Sequence, residues 1–147
     1  MDYNRVVEKW LMDYKEMTLK LNSLKVLYIE YELRVKNGDA LAYDKDKLSK
    51  TNKLVSEVEN HAIILAEMSI NITHIENKIL VINQGIKQLS EKERRILELR
   101  YMQNNRWDRA LTWVQISRQM NYDVSWCREL RCRSVKTLAE VMFGVQC

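Results

Sequence analysis

The feature that most limits this chain is an unbroken alternation of three- and four-residue steps between apolar residues. It starts at Val7 and runs through Trp10, Tyr14, Met17, Leu21, Leu24, Tyr28, Tyr31 and Val35. A stripe with that period lies along one side of an α-helix and is the seam of a coiled coil. One such helix is unstable alone in water, so the stripe demands a partner. A second seam supplies it: Leu54, Val58, His61, Leu65, Met68, Ile72, Ile75, Ile79, Ile82, Ile86 and Leu89 keep the same alternation. Between the seams, Asn37-Gly38-Asp39 reads as a helix stop, because Asn and Gly accept the left-handed conformation that ends helices. The charged stretch Ala40 to Lys47 reads as a loop. Together these predict a long antiparallel, coiled-coil-like helical hairpin over residues 1–89.

The second stripe is too wide for one partner. Val55, Ile63, Ile64, Ile70, Leu80 and Val81 lie outside the seam, and their excess apolar surface predicts contact with another copy of the chain. A dimer is the simplest homo-oligomer of that kind. His61 on the seam and His74 beside it read as structural residues, and the methionines as gap fillers at helical spacing.

Composition agrees with helices throughout. The chain has three glycines and no proline, too few for the turns that sheets and hairpins need. No run of apolar residues is long enough to cross a membrane, and the opening MDYNRVVEKW lacks the apolar segment of a secretory signal. Cys127, Cys132 and Cys147 form no CxxC pair and suit free thiols in a reducing compartment, so a cytoplasmic location is expected.

The segment from residue 90 onward has a different character. Ser90-Glu91-Lys92-Glu93 is a capping-box pattern that opens the helix EKERRILELRY, with Ile96, Leu97 and Tyr101 on its inner face. After a polar stretch, Met102 to Arg109, Trp113, Ile116 and Met120 mark a second amphipathic helix. Asn121 then stands where a left-handed residue is needed, and Asp123 is placed to cap a third helix. In that third helix Cys127, Leu130, Ser134, Val135 and Leu138 define an inward face. Two helices joined by so short a turn have the geometry of a helix-turn-helix. The predicted fold is therefore all-α, with domains at 1–89 and 90–147.

Charge points to the same segment. Residues 1–89 carry 13 Lys or Arg against 13 Asp or Glu, whereas 90–147 carry 11 against 7, nine of the 11 being Arg. The whole net charge of +4 thus lies in the second part. Arg forks fit phosphates and guanine edges, which makes double-stranded DNA the expected partner. On the outward face of the third helix, Val124, Ser125, Trp126, Arg128 and Glu129 are the candidate base-reading residues. Arg118, Arg131, Arg133 and Lys136, with Arg106 and Arg109 in the polar stretch, are the candidate phosphate contacts. No phosphate-cradling Gly-rich loop, HExxH or paired nucleophile and base occurs, so neither catalysis nor a cofactor or metal is expected.

The segment LSEKERRILELRY…TWVQISRQMNYDVSWCRELRCRSVKTLAEVM resembles region 4 of sigma-70-type factors. It is more similar still to small phage regulators of the ArpU and RinA type, which join a helical segment to such a helix-turn-helix. The resemblance covers about 55 residues. It implies a phage or prophage transcriptional regulator, often an activator of late genes, working in a bacterial host cell and able to meet RNA polymerase. It places base contacts at Val124, Ser125, Arg128 and Glu129. Two departures stand out: the link from Tyr101 to Thr112 is longer than usual, and Asn121 and Asp123 replace the family's Gly and Ser. Two other readings fit the same layout, a small terminase-like subunit that recognises DNA for packaging, and a sigma-like protein-interaction module.

Overall fold

The computed structural model describes residues 2–37 and 51–144, with side chains in the second helix from residue 56 onward. The expected stop at Gly38-Asp39, the loop Ala40–Lys47, the side chains of Leu54 and Val55, and Cys147 lie outside the described residues. Every described element is helical: α1 Tyr3–Lys36, α2 Thr51–Lys87, α3 Glu91–Leu97, α4 Trp113–Met120 and α5 Val124–Phe143. No described helix is long and apolar enough to cross a membrane.

The chain packs as two units, residues 19–77 and residues 1–18 with 78–147. This division does not follow the predicted split after residue 89. The first turns of α1 and the last turns of α2 belong with α3, α4 and α5. One core cluster joins Val7 and Leu11 to Ile82, Ile86 and Leu89, to Ile96, Leu97 and Leu99, and to Ile116, Cys127, Leu130, Val135, Leu138 and Ala139. Tyr3 and Trp10 stack on Phe143 with ring centroids 4.8 and 6.2 Å apart, fastening α1 to the end of α5. At Gly85 α2 lies close against α5, since a Cβ there would meet Leu138 Cδ1 at 2.7 Å.

In the unit 19–77, the inner seam is where the heptad places it. Leu21 and Ile75 are buried, while Leu24, Tyr28, Tyr31 and Val35 of α1 and His61, Leu65, Met68 and Ile72 of α2 are half-buried. Lys25 pairs with Glu76 at 3.1 Å, and Tyr31 bonds to His61. Later residues of α1 thus meet earlier residues of α2, the order of an antiparallel pair.

Candidate nucleic-acid interface

The helices that carry the candidate residues begin with strong local signals. Ser90 caps α3, accepting from the Glu93 N–H while Glu93 reaches back to the Ser90 N–H. Thr112 and Gln115 form the same reciprocal box at the start of α4, a T-x-x-Q signal present in the sequence. Asn121 ends α4 with φ 59° and ψ 36°, the left-handed conformation its residue type tolerates. The Asp123 carboxylate then accepts from the Trp126 N–H at 3.2 Å and starts α5. All five inward residues of α5, Cys127, Leu130, Ser134, Val135 and Leu138, are buried. Burial pushes the Cys127 thiol above its usual value, and the Asp123 charge adds to that, which keeps it protonated and inert.

With that face packed, the opposite face of α5 is open. Ser125, Arg128, Glu129, Arg133 and Lys136 are exposed, as is Arg118 on α4, while Val124 and Trp126 are half-buried. Several of these side chains hold one another. Glu129 pairs with Arg133 at 2.7 Å, one turn apart, and Arg133 also lies over the Trp126 ring at 5.2 Å. Trp126 meets Tyr122 edge to face at 6.4 Å, and Lys92 covers Tyr122 at 5.6 Å. Arg128 leans over the Trp113 ring at 5.8 Å, beside Arg100 at 4.6 Å. Exposed ion pairs and cation–π contacts are worth up to about 1 kcal/mol each, so these side chains can exchange partners at little cost.

Arg131 is a correction. It was expected to face phosphate, yet its guanidinium turns inward, donating to Glu8 of α1 at 2.9 Å and to the Tyr101 hydroxyl at 3.1 Å, with its side chain only 23% exposed. The reason is its place on the helix: Arg131 follows Cys127 by four residues and precedes Val135 by four, so it stands on the inward stripe. Burial opposes its charge, but the Tyr101 bond and the Tyr101, Cys132 and Glu8 charges outweigh that and hold its pKa above the ordinary guanidinium value.

Nothing in the sequence signals a π-turn after Leu97 or the bonding inside the link to α4. After Leu97 the helix widens into a π-turn over Glu98–Met102, closed by the Gln103 N–H on the Glu98 carbonyl at 2.9 Å. That turn carries Arg100 to Trp113, and together with Glu8, Met12, Tyr101, Arg128 and Arg131 they line a cleft of about 310 Å³. The long link to α4 is also ordered. Asn105 organises it, its side-chain oxygen accepting from the Trp107 and Arg109 N–H groups at 2.9 and 3.0 Å. Asp108 takes φ 59°, and Lys15 of α1 donates to the Gln103 carbonyl at 3.0 Å. Arg106 stacks on an exposed Trp107 at 4.1 Å, and Arg109 is exposed beside it.

A family model described as "Protein of unknown function (DUF722)" matches residues 4–140. The chain belongs to that family. The match runs from the first turn of α1 nearly to the end of α5, so in this DUF722 member it takes in all of unit 19–77 and most of the other. Nothing among curated proteins or solved structures matches the chain.

Proposed function

We propose that this chain is a sequence-specific double-stranded DNA-binding protein that reads the major groove with the first turns of α5, and serves as a phage or prophage transcriptional regulator. The observation that carries the reading is the open edge of α5, where Ser125, Arg128 and Glu129 stand together behind a left-handed turn. A major groove about 12 Å wide admits one helix, and bidentate Arg to guanine is its commonest specific contact. Arg118, Arg133 and Lys136 flank that edge and supply phosphate neutralisation. Arg106 and Arg109 add two exposed cations on the link before α4. The chemistry is that of binding, not catalysis.

The test is to select bound fragments from a genomic library and measure affinity for the selected site and for random duplex. Arg128→Ala should weaken the selected site by about 1–3 kcal/mol and leave random DNA nearly unchanged. Wild-type retention of both duplexes by the variant would remove Arg128 from the reading, and no retention of any duplex by the native chain at low salt would remove the DNA reading itself.

A second reading, recognition of viral DNA for packaging, gains weight from the apolar surface that unit 19–77 leaves exposed on both of its helices. A ring needs two such faces on every copy.

A further inference from the structure

Both helices of unit 19–77 carry a second heptad stripe on their outer sides. On α1 it is Leu19, Asn22, Val26, Ile29 and Leu33; on α2 it is Ile63, Ala66, Ile70, Thr73 and Asn77. Each run steps by three and four, as the inner seams do. All ten residues are exposed, the four large apolar ones on α1 between 52% and 68%, and Ile63 and Ile70 at 54% and 67%. At 3.6 residues per turn, the outer stripe of each helix lies about 150° from its inner seam. The two stripes therefore face away from the shared seam, and one partner seated on either leaves the other bare.

The two stripes also match each other. Laid antiparallel, they stack in layers that pair Asn22 with Asn77, Val26 with Thr73, Ile29 with Ile70 and Leu33 with Ala66. Asn meets Asn, Ile meets Ile, and Leu33 meets the small Ala66 across the seam. A polar layer of this kind fixes register in coiled coils. An antiparallel pairing of two α1 stripes in matched layers would instead set Asn22 against Leu33. The exposed Leu, Val and Ile side chains come to on the order of 100 Å² each, so the α1 stripe alone approaches the roughly 400 Å² above which an apolar patch marks an interaction site.

We infer that the occupant is a second copy of this chain: the outer stripe of α1 in one copy seats on the outer stripe of α2 in the next. Such a contact is head-to-tail, and because each copy has one face of each kind, every copy touches two neighbours. Repeated from copy to copy, the contact builds an assembly of three or more chains, a ring if its rotation closes. This differs from the dimer expected from the sequence, and it stands independently of what the α5 surface binds.

The experiment uses the full chain and two variants at exposed positions, Ile29→Glu and Ile70→Glu, with helicity checked by circular dichroism. Light scattering after gel filtration should give at least three chain masses for the native protein. Each variant alone has lost one of its two faces and should run as a single chain. Mixed in equal amounts they should form a two-chain species, because the intact α2 face of one meets the intact α1 face of the other. A native protein of one or two chains would overturn the inference. So would a variant that self-associates, or a mixture that stays monomeric.

Discussion

Gly85→Ala probes a close contact between α2 and α5, and two opposing effects have comparable size there. Glycine inside a helix is about 1 kcal/mol less favourable than alanine, so helix propensity alone makes the substitution stabilising. Packing acts the other way. The new Cβ would stand 2.7 Å from Leu138 Cδ1 and 3.0 Å from Met142 Cγ. Ordinary carbon–carbon contacts are about 3.5–4.0 Å, so a shift of nearly 1 Å is required. Met142 is half-buried and has free torsions with which to yield. Leu138 is fully buried among core side chains and has nowhere to go. Overpacking of this kind costs about 1–3 kcal/mol, which leaves a net loss near 1 kcal/mol. Urea unfolding followed by circular dichroism should show a lower midpoint with an unchanged slope. The sign should reverse in a Leu138→Ala background. That variant is itself weakened by about 2–5 kcal/mol, but it has room for the added methyl, so Gly85→Ala should then stabilise by up to about 1 kcal/mol. An equal effect in both backgrounds, or a gain in the native one, would refute the close approach of the two helices.

Three further outcomes are expected. Arg131→Met should lower stability by about 1 kcal/mol, since Glu8 and Tyr101 lose their shared donor, yet leave the salt dependence of DNA binding unchanged; Arg133→Met should flatten that slope by about 0.9. Salt titrations in which the two variants behave alike would contradict their opposite orientations. Asn121→Ala should destabilise by about 1 kcal/mol through its left-handed backbone, while Asn121→Gly should be neutral or mildly stabilising, as thermal melts will report. Alkylation of the native chain should modify exposed Cys132 well before buried Cys127, read by peptide mass. Because the folded state holds the Cys127 proton more tightly than the unfolded chain does, its contribution to stability is present below the ordinary thiol range and is lost as pH rises toward the raised value.

Much of the architecture was legible because helices write their packing into the spacing of residues. The inner seams, the Ser90 box, the left-handed Asn121 and the Asp123 cap are local signals, and each is read within a few residues. What the sequence hid is non-local. A seam states that a helix needs a partner but not which one, so the packing of Val7 and Leu11 beside α5 was invisible. Leu11 was the available hint, an apolar residue one step off the stripe that is fully buried. Arg131 was misread because its residue type outweighed its position between Cys127 and Val135. The π-turn that delivers Arg100 leaves no compositional mark, since any residue can occupy a widened turn.

The mixing of the chain's two ends in one core also has a consequence during synthesis. Val7 and Leu11 leave the ribosome first, but the surface that buries them includes Val135, Leu138 and Ala139 and is not available until translation is nearly over. Until then those early turns have only provisional neighbours, whereas residues 19–77 can zip together as soon as both of their helices emerge. The surface proposed to meet DNA is therefore assembled last, and a nascent polypeptide stalled before α5 would carry paired helices with no means of reading a duplex.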